Sequence, residues 1–397
     1  MKRGILAGLT AVIWAADAVA GDIYTEHYGK IETTFSAYPN APATAGQHRN
    51  FATAELKPGL LVESGDLQFV FEPRLRFGDS GAGVSDLRET TLSTRTEAMD
   101  LMVGTSILFW GQTESYNPVD IINSYDYTHG LSKGEKLGAP LLSAAMPLGI
   151  GELEIIALPR FVQNRYPGAA SRHRLGLLIA NDKSIYSANA ERNDAGGALR
   201  WTGYMGDLDL GLSYFSGTGR DPRFIPQLDG RFVPDYSKIT QTGIDLQYLA
   251  GDTAFKAELI NRTGQYNRHG IAETYQAGVI GLEHNIYAVF DSDYDMAVIA
   301  EYAGDGRGTD SHSGFQNDLV GGVRLLLNDI DDTEIFALAS RDLDYNTMRG
   351  TGKLTTRMTD NLVVEGEVSV VSSLQRDPGA AAFYRDDYAA VTVTYAW

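Results

Sequence analysis

The chain has 397 residues, a formal net charge of −18, 43 glycines, 21 tyrosines and no cysteine. Such acidity excludes a nucleic-acid binder, which needs clustered cations, and argues against tight adhesion to anionic lipid. Without cysteine there is no disulfide framework, so stability must come from an extended hydrogen-bonded fold.

The first twenty residues, "MKRGILAGLTAVIWAADAVA", combine Lys2 and Arg3, an apolar run from Ile5 to about Ala16, and Ala18-Val19-Ala20. This is the pattern of a secretory signal cleaved after Ala20. Asp17 interrupts the run, which is shorter than the ~18 apolar residues of a membrane helix. Residues 21–397 are expected to form one domain.

From there on the repeat is two residues, the period of a strand. "LQFVFEPRLRF" sets Phe69, Phe71, Leu75 and Phe77 against Gln68, Glu72, Arg74 and Arg76. "TAFKAELINR" sets Phe255, Ala257 and Leu259 against Lys256, Glu258 and Arg262. In "YDMAVIAEY" the outer phase is Tyr294, Met296, Val298, Ala300 and Tyr302, opposed by Asp293, Asp295 and Glu301. "TMRGTGKLTTRM" and "NLVVEGEVSVV" alternate in the same way, and in "YAAVTVTYAW" Val391, Val393, Tyr395 and Trp397 share one face.

Eighteen such segments are expected, starting near residues 26, 51, 66, 87, 97, 138, 151, 196, 207, 237, 252, 272, 293, 316, 332, 347, 361 and 384. Their connectors alternate in length. Long ones fall near 38–50, 110–137, 162–195, 217–236, 264–271, 304–315 and 374–383; short ones fall at "SGD", "MGD", "AGD", "NDIDD" and "TDN". Only the connector near 344–347 breaks the alternation. An all-β transmembrane antiparallel barrel of about 18 strands (16 as the alternative) meets these requirements together, with short periplasmic turns and long extracellular loops. Tyr395 and Trp397 are then expected in the aromatic girdle, and as the signal read by the outer-membrane assembly machinery. The expected surroundings are outer-membrane lipids, in a Gram-negative cell.

A barrel of this size cannot be filled by its own side chains, so a water-filled lumen is expected unless loops plug it. The inward phase carries both signs: Glu55, Lys57, Glu72, Arg74, Arg76, Arg160, Arg200, Lys256, Glu258, Arg262, Glu301, Arg324, Arg349, Lys353, Arg357 and Glu367. These are either mutually paired wall residues or a selectivity ladder. The most distinctive connector runs from Phe109 to Leu142, "FWGQTESYNPVDIINSYDYTHGLSKGEKLGAPLL". It is read as a plain external loop or as one folded into the barrel to constrict it, with Trp110, Gly111, Glu114, Asn117, Pro118, Asp120 and Asp126 as its candidate residues.

The layout "FWG…NPVD…EKLGAPLL…GELEIIALPRFVQNRYP", with the later run "GLEHNIYAVFDSDYDMAVIAEYAGD", resembles a porin-like family of proteobacterial outer-membrane proteins carrying W-G followed by N-P-x-D. The resemblance covers about residues 88 to 397 and marks Trp110, Gly111, Asn117, Pro118 and Asp120. It implies a barrel in the outer membrane and, for some relatives, work beside RND-type transporters moving hydrophobic molecules. His284 departs from the aromatic residue relatives carry there.

A barrel enzyme needs a histidine beside a nucleophile. His27, His48, His129, His173, His269, His284 and His312 show no such spacing, and "SRHR" at 171–174 is read as a solvated loop. The acidic stretches "NDIDDTE" (328–334) and "DSDYD" (291–295) lack the glycine and spacing of a calcium loop and are read as tight turns. No cofactor, metal or nucleic acid is expected. The leading expectation is a non-enzymatic porin-like channel for passive diffusion of small solutes. Behind it stand a barrel moving lipids or sterols with a periplasmic or RND-type partner, and an outer-membrane lipid-modifying enzyme.

Overall fold

The computed structural model describes residues 23–397 apart from 43, 79–82, 130–133, 175–177, 188–189, 373–376 and 378–384, so the expected signal segment lies outside the described residues. The first nine wall strands are β1 (Ile23–Ala37), β2 (Asn50–Ser64), β3 (Leu67–Gly78), β4 (Val84–Arg95), β5 (Asp100–Ser106), β6 (Ala139–Leu148), β7 (Gly151–Leu158), β8 (Gly196–Met205) and β9 (Leu208–Thr218). The other nine are β10 (Arg231–Ala250), β11 (Thr253–Tyr266), β12 (Ala272–Ile286), β13 (Asp295–Asp305), β14 (Asn317–Leu326), β15 (Glu334–Asp342), β16 (Met348–Thr359), β17 (Leu362–Ser372) and β18 (Tyr388–Ala396).

Each strand pairs antiparallel with the next, and β18 returns to β1 over Lys30↔Ala396 to Ala37↔Ala389. The result is a closed 18-strand barrel. Closure matters because an unpaired edge in hydrocarbon would leave a row of unsatisfied N–H and C=O groups. Short segments 178–179, 185–187 and 223–226 pair onto the first residues of β10 and build a small extra sheet above the wall.

The period-two pattern sorts as expected. Leu259, Ile280 and Val391 are 51 %, 62 % and 50 % exposed on the outer face, a belt of bare apolar side chains that a water-soluble fold would cover. In a transmembrane barrel such a belt faces acyl chains. Outward aromatics stand in two tiers: Phe35, Phe77, Tyr214 and Tyr302 toward one end, and Tyr248, Phe255, Tyr395 and Trp397 toward the other. Transmembrane barrels carry aromatic residues at both interfaces.

All eighteen expected starts fall near observed strands; β10 begins earliest relative to expectation, at Arg231. The connectors sort less cleanly than the sequence suggests. At the turn end, 65–66, 149–150, 206–207, 251–252 and 360–361 are two residues long, but 287–294 and 327–333 are wider. The stretch "DSDYD" is therefore not a tight turn. Part of it lies in a 3₁₀ turn at Val289–Asp291, where Phe290 and Asp291 hold positive φ. At the loop end, 343–347 is short as expected, and 267–271 is also short because β11 continues to Tyr266 and uses residues expected to be loop.

Candidate functional site

The interior is dominated by the connector 107–138, between β5 and β6. Its segment "NPVDII" carries three aliphatic residues, Val119, Ile121 and Ile122, which are almost completely buried. They pack with Trp110 against the inward faces of β6 to β12, including Leu141, Ile156, Phe215, Ile239 and Ile260. Burying such a side chain is worth about 1.5–3 kcal/mol each, which a loop standing in water would forfeit. The connector is folded inside the barrel.

Polar bonds fix where it goes. The Glu258 carboxylate on β11 accepts hydrogen bonds from the backbone N–H of Gln112 (2.7 Å) and Thr113 (3.0 Å), the Thr113 hydroxyl (2.9 Å) and the Asn117 amide (2.9 Å). Glu301 on β13 accepts from the N–H of Glu114 (2.7 Å) and Ser115 (2.9 Å), and from the Ser115 hydroxyl. Gln241 on β10 donates to the carbonyls of Pro118 (3.3 Å) and Val119 (3.4 Å) and is itself held by Arg262 at 2.8 Å. Arg220 donates to the Ile122 carbonyl at 3.1 and 2.6 Å.

The returning limb is tied to the other wall. Arg74 on β3 is fully buried and pairs with Asp126 (2.7 Å), Asp86 (2.8 Å) and Glu135. Arg76 donates to the Thr128 hydroxyl, while Asp126 accepts from the Thr128 N–H at 3.0 Å. Asn123 braces the neck, accepting from the Leu108 N–H (2.9 Å) and donating to the carbonyls of Ser106 and Leu137 (both 2.9 Å). In an 18-strand ring, β11 and β13 stand nearly opposite β3. The connector is therefore tied, inside the barrel, to facing walls.

The W-G…N-P spacing has a physical reason. Gly111 has φ of +141°, and a Cβ there would come within 2.6 Å of the Asn117 side-chain amide. Only glycine lets that amide fold back to Glu258 and to the Thr113 carbonyl (2.8 Å). The Trp110 ring lies under the Arg200 guanidinium at 5.0 Å. Asp120 meets Lys136 at 2.5 Å within the connector, and Lys136 also sits 4.7 Å over the Phe109 ring. Burial, partly offset by Lys136, raises the Asp120 carboxyl above its ordinary range. Burial likewise lowers the Lys136 ammonium.

The wall residues face inward as the pattern required, and their cations are paired. Arg200 meets Asp245 (2.9 Å), Lys256 meets Glu283 (2.7 Å), and Arg262 meets Asp221 (2.9 Å). Arg324 meets Glu114, Glu334 and Glu283 at 3.3, 3.4 and 3.7 Å. Arg349 reaches Asp377 and Lys353 reaches Glu365, both at 3.8 Å, and Arg357 meets Asp332 of the 327–333 turn at 2.9 Å. Lys57 lies among Glu32, Glu55 and Glu135. Glu72 accepts from the Tyr28 hydroxyl, and Glu367 from the Tyr388 hydroxyl at 2.6 Å. Arg160 departs from expectation: it lies past the end of β7 in the 159–195 connector and is exposed, so it is not a wall residue.

The loop end holds a second correction. Arg172, within the supposedly solvated "SRHR", is completely buried. It pairs with Asp386 at 2.9 Å, donates to the carbonyls of Asn40 (3.0 Å) and Arg385 (2.8 Å), and lies 4.6 Å over the Tyr38 ring. The 159–195 connector thus reaches across the mouth to the connectors flanking β1 and β18. Among the described histidines, His269 bonds Asp310 at 3.0 Å on an exposed loop, and His284 bonds the Thr253 hydroxyl at 2.9 Å on the outer face.

Neither a protein-family model nor a curated protein matches the chain. Solved structures do. OccK2 (OpdF) of Pseudomonas aeruginosa, in complex with glucuronate, superposes with a TM-score of 0.55 over 94 % of this chain and 96 % of its own, at 10 % identity. A BenF-like porin from Pseudomonas fluorescens Pf-5 gives 0.55 over 95 % and 98 %, also at 10 % identity. This likeness is one of fold: the chain has the architecture of an outer-membrane porin.

Proposed function

We propose that this protein is an outer-membrane channel through which small solutes diffuse passively. The observation that carries the reading is the inserted connector: it narrows the lumen, is anchored on opposite walls, and leaves the inward faces of β14 to β18 and β1 outside its apolar contacts. Those faces carry Thr351, Thr355, Thr392, Thr394 and Thr34 between charged pairs. A polar wall beside a fixed constriction suits hydrated solutes. It weighs against lipid or sterol cargo and the RND-type partner that such cargo would need.

Passage needs no covalent step. Tyr395 and Trp397, outward-facing and stacked at 6.5 Å, are read as girdle residues and as the mark used by the outer-membrane assembly machinery. Liposome swelling tests the proposal. Vesicles containing the protein should admit small sugars or amino acids at a rate that falls with solute size, and vesicles no leakier than protein-free ones would refute it.

A further inference from the structure

Resting on that channel reading, we infer that the passage selects cations over anions. The connector meets β13 and β14 at the edge of the polar wall left beside it. There Glu114 approaches Arg324 at 3.3 Å, and the same guanidinium meets Glu334 at 3.4 Å and Glu283 at 3.7 Å. One cation stands among three carboxylates. Lys256 offsets one of them, lying 2.7 Å from Glu283.

The next strands deepen the imbalance. Lys353 is 3.8 Å from Glu365 and is the cross-strand neighbour of Glu367. Glu301, beside Glu114, is bonded to backbone N–H groups, which share its charge without cancelling it. Arg349 is matched by Asp377 and Arg357 by Asp332, so neither changes the sign. Across the lumen the charges cancel: Lys30, Lys57, Arg74, Arg76 and Arg88 are met by Glu32, Glu55, Asp86, Asp126 and Glu135, so this wall leaves the sign unchanged.

These groups are wet enough to act on a passing ion. The side chains of Glu114, Glu334 and Glu365 are 31 %, 38 % and 32 % exposed. An excess of fixed carboxylates in a narrow aqueous passage with low-dielectric walls concentrates cations and excludes anions. The solutes favoured are inorganic cations and small organic amines, and a free carboxylate or phosphate is disfavoured.

The test is the reversal potential of the full chain in a planar bilayer under a KCl gradient. The dilute side is held at low ionic strength, because the field is screened within about 10 Å at 0.1 M salt. The expected displacement is toward the potassium side. The double variant Glu334→Gln with Glu365→Gln should shrink it, and Arg324→Gln should enlarge it; a merely structural disturbance would move both the same way. A reversal at zero or on the chloride side overturns the inference and leaves the channel reading standing. Absence of any current overturns both.

Discussion

Gly29 and Trp397 close the barrel on each other. The Gly29 N–H donates to the Trp397 carbonyl at 3.2 Å, and the Trp397 N–H donates back at 3.0 Å. The indole lies over the glycine, so that a Cβ on Gly29 would come within 2.6 Å of the ring and 2.9 Å of the Lys57 carbonyl. The ring could swing aside; the backbone carbonyl could not.

Gly29→Val should therefore impair closure even where the girdle ring moves. Overpacking of this kind costs about 1–3 kcal/mol. The check is the fraction refolded into lipid vesicles, read as the compact, heat-modifiable band on a gel. Wild-type yield and an unchanged melting midpoint would mean that the seam tolerates a side chain the geometry forbids.

The Glu258 carboxylate serves five donors of the connector, the fifth being the Val119 N–H at 3.5 Å. Glu258→Ala should free the 112–117 segment, because each stranded buried donor costs about 1–3 kcal/mol. Single-channel current should rise and become noisier. Glu258→Gln, which keeps one acceptor oxygen, should lie between. Identical currents in all three proteins would show that Glu258 does not hold the connector.

Arg172 links three connectors at the mouth, and removing one partner of a buried pair commonly costs about 3–5 kcal/mol. Arg172→Ala should leave Asp386 and two carbonyls unmatched and loosen the 159–195 connector. Limited proteolysis of the folded protein in detergent should then cut within 159–195 sooner than in wild type, with the barrel left intact. Unaltered cleavage would return this arginine to the solvated role its sequence suggested.

Asp120 gives a pH dependence of definite sign. Its carboxyl is raised above the unfolded value of 3.8 mainly by burial, against the pull of Lys136. A group raised in this way adds stability when protonated: the contribution is complete below the unfolded value and is lost as pH rises through the folded one. Wild type should therefore gain stability relative to Asp120→Asn between pH 7 and pH 4. A loss over that interval would mean that the ion pair, and not burial, governs the site.

The fold was legible because its signal is local. Alternation in "YAAVTVTYAW" or "TAFKAELINR" reports which side of a wall each residue faces, whatever lies further round the ring. The path of the 107–138 connector depends on Glu258, Glu301 and Arg74, which lie far away in sequence and nearly opposite one another in space, and no periodicity encodes that. One clue was present: Val119, Ile121 and Ile122 are too apolar for a loop in water. Arg172 had no comparable signal, since its partner Asp386 lies 214 residues on and a surface arginine reads the same way. The short connector 267–271 escaped notice because β11 runs on beyond the wall, where polar residues look like loop.

Single-channel conductance with and without residues 112–122 measures the constriction directly. A lumen crossed by this connector should conduct steadily in the intact protein, and conduct several-fold more once the segment is excised and the ends are joined. A closed, silent barrel in both forms, or the same current in both, would contradict it.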